Sequence, residues 1–161
     1  MIDKRKLNIK AKEVLEASGW DETRSITEMN YPKDFSFPEH VKNILISLYG
    51  LNIKTKPREI VEENSIPCFY GDLEFFPENA AGENEKGTFG YFSKMLHKNF
   101  YPLGEITNGF FYIALDDNEC LYLLGDNIIK LGDNFYQGLY MLLTGIKGKE
   151  LNDETLEWKD Y

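Results

Sequence analysis

The chain has 161 residues, of which 42% are hydrophobic and 14% aromatic; this excludes disordered, collagen-like and low-complexity proteins and fits one domain with its own core. The formal net charge is -9 at pH 7, which argues against nucleic acid or an anionic membrane as a partner, because both need clusters of lysine and arginine. The acidic excess belongs to residues 61–161, since residues 1–60 carry 11 Lys and Arg against 9 Asp and Glu.

Four helices are predicted from apolar residues spaced three and four positions apart. Gly19 and Gly145 follow the first and last of them as C-terminal capping residues, because glycine adopts the left-handed conformation at little cost. Ser36 and Glu39 have the spacing of a capping box before the second helix. The predicted helices lie near residues 3–18, 37–49, 88–98 and 134–144.

The clearest strand pattern lies between Tyr101 and Gly145, where short turn sequences separate four apolar runs. The turns are Asn108-Gly109, Asp116-Asp117-Asn118 and Gly125-Asp126-Asn127. Connections this short join only antiparallel neighbours, so the runs predict a meander. Its strands are expected at 101–107, 110–115, 120–124 and 127–131, after shorter strand-like segments at 51–55, 66–70 and 73–76.

The run 110–115 is apolar at successive positions, which predicts a central strand covered on both faces. The fold class is therefore α+β: a single domain over residues 1–145 with an antiparallel meander sheet and flanking helices. Residues 146–161 form a polar tail that is expected to fray or to pack weakly through Trp158.

Neither a metal nor a cofactor is predicted. The GDN tripeptides at Gly125 and Gly132 predict a turn and a helix cap, because an EF-hand loop would need more acidic ligands and a closing glutamate. His40 and His97 have no zinc-binding spacing with the cysteines. The sequence has no glycine-rich phosphate-binding motif and no serine-hydrolase motif.

Cys68 and Cys120 each lie in an apolar segment and are expected to be buried, reduced thiols. The sequence shows no apolar run of signal-peptide or membrane-span length, so we expect a cytoplasmic protein. Glu105 and Asp116 flank the hairpin strands and offer a carboxylate pair for general acid/base chemistry. A hydrolase with an acidic cleft stays open as an alternative, although such a pair would need a desolvated pocket.

Three stretches of the sequence together resemble the SUKH superfamily of bacterial immunity proteins, in particular its third immunity clade. They are LEASGWDETR, with a W-x-x-x-R motif from Trp20 to Arg24; SLYGLNI; and the long segment FYPLGEITNGFFYIALDDNECLYLLGDNIIKLGDNFYQGLYMLLTG. The resemblance implies an antiparallel sheet flanked by helices, no enzymatic activity, and binding of a polymorphic toxin, often a nuclease. It also leaves open a regulatory interaction module of the same fold, unrelated to toxins.

A protein toxin is thus the predicted partner, and the oligomeric state is not predicted. An acidic surface suits a basic nuclease, because complementary charge speeds association. Alternate turns of a meander leave the sheet at opposite ends, so a continuous acidic patch must cross a face or use one turn. The candidate partner-binding residues are Glu74, Glu105, Asp116, Asp117 and Asp126.

Overall fold

The computed structural model describes residues 1–54, 71–106 and 111–160. Within these ranges it contains four α-helices, which confirms the helical prediction; two of the predicted ends coincide with the observed ones, and the other ends lie one to six residues further in. They are α1 (Ile9–Ala17), α2 (Glu39–Leu48), α3 (Thr88–Leu96) and α4 (Phe135–Thr144), with 3-10 turns at Lys4–Lys6 and Pro77–Ala80.

The helix caps agree with the sequence at α4 and differ at α2. Asn134 caps α4 by accepting a hydrogen bond from the Gln137 amide at 3.0 Å, and Gly145 ends it with φ 72°. The predicted capping box at Ser36 was wrong, because the residue that precedes α2 is Pro38, which has no side-chain oxygen to cap the helix.

The sheet is an antiparallel meander of eight strands in the described ranges, in which each strand pairs with the next along the chain. This confirms the predicted topology. The Asn108-Gly109 turn, the 66–70 segment and Cys68 lie outside the described residues. The strands are β1 (Asn52–Ile53), β2 (Leu73–Glu74), β3 (Phe100–Ile106), β4 (Tyr112–Asp116), β5 (Leu121–Leu124), β6 (Ile128–Leu131), β7 (Lys149–Asn152) and β8 (Glu157–Lys159).

The polar tail packs through Trp158, which is one of the two expected outcomes, and it also forms two strands that were not predicted. Its strands β7 and β8 form a hairpin that extends the sheet, with Ile129 of β6 opposite Glu150 and Leu151 opposite Trp158. Leu151 and Trp158 join the core on one face of the sheet. The charged residues between these two obscured the alternation of inward and outward side chains that is typical of a half-buried strand.

Both faces of the sheet are packed, and the strand alternation divides the core into two clusters. Helices α1, α2 and α4 cover one face, and α3 covers the other together with the loop around Phe35. Ile113, Ala114 and Leu115 of β4 are each 0% exposed, which confirms the prediction of a central strand covered on both faces. Cys120 is a buried free thiol, as expected, and burial raises its pKa.

Gly104 of β3 lies at a β-bulge and close to the backbone of β2. The pairing of β3 with β4 shifts register between Pro102 and Gly104. A Cβ atom at Gly104 would lie 2.0 Å from the Glu74 carbonyl oxygen, so only glycine fits at this position. This contact fixes β2, and with it Glu74, against β3.

Candidate functional site

Three of the five predicted binding residues lie at one end of the sheet. Glu74 of β2 stands directly opposite Glu105 of β3, and Glu105 in turn stands opposite Tyr112 of β4. Tyr112 pairs with Leu124, which the turn containing Asp126 follows directly. Glu83 belongs to the same region, since its charge acts on Tyr112 together with that of Glu105. We call this set the acidic end: Glu74, Glu83, Glu105 and Asp126.

Glu74 and Glu105 form a pair of like charges on neighbouring strands, an arrangement that destabilises a sheet. Neutral amides are the partners found for both carboxylates. Asn52 Nδ2 donates to Glu74 Oε1 at 3.2 Å, and Asn79 Nδ2 donates to Glu105 Oε1 at 2.9 Å. Among the described residues no ion pair involves either carboxylate, and both side chains are half-buried.

The Tyr112 hydroxyl reports the same negative field. Burial raises the pKa of Tyr112, and the charges of Glu83 and Glu105 raise it further. The phenol therefore stays protonated and neutral beside these carboxylates.

Asp116 is a buried residue that stabilises the fold, so its prediction as part of a binding surface was wrong. It is 1% exposed. One carboxylate oxygen accepts from Lys98 Nζ at 2.9 Å and from the Tyr122 hydroxyl at 3.0 Å. The other accepts from the backbone amides of Asn118 and Cys120, each at 2.9 Å. The carboxylate therefore holds the β4–β5 turn closed and has no free edge for a partner.

Strand alternation is the signal that identifies this burial. Tyr112, Ala114 and Asp116 share one face of β4, and the first two pack in or against the second core cluster. The Asp-Asp-Asn sequence predicts a turn but does not show which aspartate points inward. Asp116 is the last residue of β4 and continues the face of Tyr112 and Ala114, so Asp116 is the aspartate that points inward.

Asp117 is exposed, but it lies at the opposite end of the sheet from the acidic end. The β4–β5 turn and the β5–β6 turn leave opposite ends, which confirms the meander argument. The Asp117 carboxylate accepts from the Tyr101 hydroxyl at 2.8 Å and from Asn99 Nδ2 at 2.9 Å. The pKa of Tyr101 is raised to about 12, mainly by burial and secondly by this hydrogen bond to Asp117.

The W-x-x-x-R motif fastens the loop that follows α1 to the end of α2. Trp20 is 3% exposed and packs in the first core cluster. Arg24 Nη2 donates to the Tyr49 carbonyl at 2.7 Å, and the Tyr49 hydroxyl donates to Glu78 Oε1 at 2.7 Å. The motif thus supports the fold and links α2 to the 3-10 turn beside the acidic end.

A hydrolase with an acidic cleft would need a desolvated pair of carboxylates, and the cavity beside α4 does not contain one. This cavity has a volume of about 160 Å³. The two aspartates that line it, Asp133 and Asp160, are each ion-paired with a lysine and have side chains 82% and 81% exposed. Within the described ranges no three His, Cys, Asp or Glu side chains are arranged to hold a metal ion.

These features define an α+β protein with two packed sheet faces and four carboxylates grouped as the acidic end. No helix in the described part of the chain is long and apolar enough to cross a membrane. The family model of the SUKH-3 immunity proteins matches residues 8–145, and the chain belongs to this family. An immunity family of this kind is generally non-catalytic. No curated protein and no solved structure matches the chain.

Proposed function

We propose that this protein neutralises a cognate bacterial toxin by binding it directly in the cytoplasm, without catalysing a reaction. Membership of an immunity family, with a match over residues 8–145, is the observation that carries the proposal. We further propose that the toxin is a basic protein such as a nuclease, because the net charge of -9 favours a positively charged partner.

The acidic end is the proposed toxin-binding surface. The like-charged Glu74–Glu105 pair opposes folding, and a sequence selected for stability alone has no reason to keep it. A lysine or arginine of a toxin placed between the two carboxylates would supply the missing countercharge. This is a favourable arrangement, because the two oxygens that the asparagine amides leave free can both accept hydrogen bonds.

The same position suits inhibition of a nuclease. Such an enzyme holds phosphates with clustered lysine and arginine residues, and an acidic surface can occupy that cluster and exclude the nucleic acid. Opposite charges also steer the two proteins together before contact, which raises the association rate. Asp117 lies too far along the strands to belong to this surface, so it is placed outside the contact.

Co-expression with the candidate toxin encoded by the neighbouring gene tests the proposal. We expect the protein to rescue growth and to co-purify with that toxin. The charge-neutralised variant E74Q/E105Q should lower both rescue and recovery of the complex. The matched control E13Q/E119Q removes two charges from exposed sites away from the acidic end and should behave as the unmodified protein does.

Failure of both rescue and co-purification would overturn the immunity function and leave an interaction module unrelated to toxins. Rescue that E74Q/E105Q and E13Q/E119Q support equally well would keep toxin binding and overturn its assignment to the acidic end. The two variants thus separate the function from the surface that carries it out.

A further inference from the structure

Strand β8 forms one edge of the sheet. It pairs with β7, and within the described residues no strand lies on its other side. The backbone N–H and C=O groups on that side are a template for another strand. Whether such an edge attracts or repels a given strand depends on the side chains that would stand opposite each other.

The sequence of β8 is complementary to itself. Glu157 and Lys159 project on one face of the strand, and Trp158 projects on the other. When two copies of β8 pair antiparallel about Trp158, Glu157 of each copy stands opposite Lys159 of the other. Both cross-strand pairs then join opposite charges, and the two tryptophans stand opposite each other, an arrangement that favours a sheet.

The neighbouring strand continues this pattern. Within one chain Lys159 stands opposite Glu150, and Trp158 stands opposite Leu151. Across the proposed contact each Lys159 would therefore lie between Glu150 of its own chain and Glu157 of the second copy. On the other face Trp158, which is only half-buried, lies with its ring 5.9 Å from that of Tyr122 and keeps an exposed part for the second tryptophan.

We propose that two copies of this chain associate through β8, antiparallel about a two-fold axis at Trp158, so that their sheets become continuous. The contact is isologous and closes on itself, which limits the assembly to a dimer. Three residues per chain take part in the pairing, so the dimer forms reversibly and its fraction rises with protein concentration. The proposal does not rest on the proposed toxin binding.

Sedimentation velocity of the purified protein at increasing concentration tests this contact. The unmodified chain should shift from the 18.7 kDa monomer toward twice that mass. The variant E157K sets lysine against lysine at both cross-strand pairs and should weaken dimerisation by at least about tenfold. The control variant E154K makes the same charge change in the neighbouring β7–β8 turn and should dimerise as the unmodified chain does.

A mixture of E157K and K159E provides the sharper readout. Each variant alone sets like charges opposite each other, whereas one copy of each restores two opposite-charge pairs, so the mixture should form a heterodimer. K159E also faces Glu150 of its own chain, so circular dichroism should confirm its folding, and K159Q serves in its place if the hairpin opens. K159Q should then weaken self-association, because both Lys–Glu pairs are lost.

Three results would overturn the proposal. One is an unmodified chain that stays monomeric at every concentration. Another is a dimer that E157K does not weaken, since the contact would then lie elsewhere on the molecule. The third is a mixture of folded E157K and K159E that contains no heterodimer.

Discussion

The two ends of the sheet use carboxylates in opposite ways. At the β4–β5 end Asp116 is buried and receives a lysine, a tyrosine hydroxyl and two backbone amides. At the acidic end Glu74 and Glu105 face each other across β2 and β3, with one neutral amide donor for each. One arrangement satisfies a negative charge within the chain, whereas the described residues supply the other pair with neutral amides and no cation.

This contrast shows that acidic composition alone does not identify a binding surface. Composition counts the aspartates and glutamates, but only the fold determines which of them receive a cation from within the chain. The β2–β3 register, in which Gly104 leaves room for the Glu74 carbonyl, places Glu74 directly opposite Glu105.

The largest effect is expected from removing Asp116. D116A leaves the Tyr122 hydroxyl and two backbone amides without their acceptor, at about 1–3 kcal/mol for each buried donor, so it should lower the free energy of unfolding by about 3–5 kcal/mol. Urea denaturation measures this loss. The exposed Asp126 offers a control, because D126A should change the stability by less than about 0.5 kcal/mol. Equal effects of the two substitutions would contradict the buried role of Asp116.

A smaller loss of stability is expected from the substitution G104A. The added methyl group would meet the Glu74 carbonyl at 2.0 Å and the Phe75 Cα at 2.8 Å, so β2 must move away from β3. Overpacking of this kind costs about 1–3 kcal/mol of stability. Toxin binding should fall as well, although no charge has changed. A variant that loses stability and keeps full toxin affinity would show that the β2–β3 contact does not shape the binding surface.

The variant E74Q/E105Q should raise the free energy of unfolding, whereas D116A and G104A lower it. It removes a like-charge pair and keeps side-chain oxygens that can accept from Asn52 and Asn79, so the free energy of unfolding should rise by about 0.2–1 kcal/mol. Thermal and urea denaturation at low ionic strength measure this change. A loss of stability would mean that the two carboxylates support the fold, and the functional interpretation of the pair would fail.

The sequence predicted the helices and the meander, because apolar spacing and turn residues are local signals. It did not predict the β7–β8 hairpin, whose core residues Leu151 and Trp158 are separated by a mostly polar turn with an exposed Leu156. It grouped Asp116 with Asp117 because adjacent aspartates in a turn look alike until strand alternation is known. The opposition of Glu74 to Glu105 depends on β2–β3 register, which no short-range pattern specifies.

A further effect concerns Tyr101 and appears only at alkaline pH. Its pKa is about 12 in the folded protein and about 10 in an unfolded chain, so the unfolded state loses its proton first. The stability that Tyr101 contributes is therefore complete below pH 10 and is lost as the pH rises from about 10 to 12. The difference in unfolding free energy between the unmodified protein and Y101F should shrink over this interval. A difference that stays constant to pH 12 would contradict the assigned environment.

The rate at which the protein associates with its toxin tests the central claim most directly. At low salt E74Q/E105Q should associate about tenfold more slowly than the unmodified protein, while dissociation changes less. The gap should close as salt is added, because exposed charges are screened beyond about 10 Å at 0.1 M. E13Q/E119Q should keep the unmodified rate. Equal rates for the two double variants at low salt would contradict a toxin-binding surface at the acidic end.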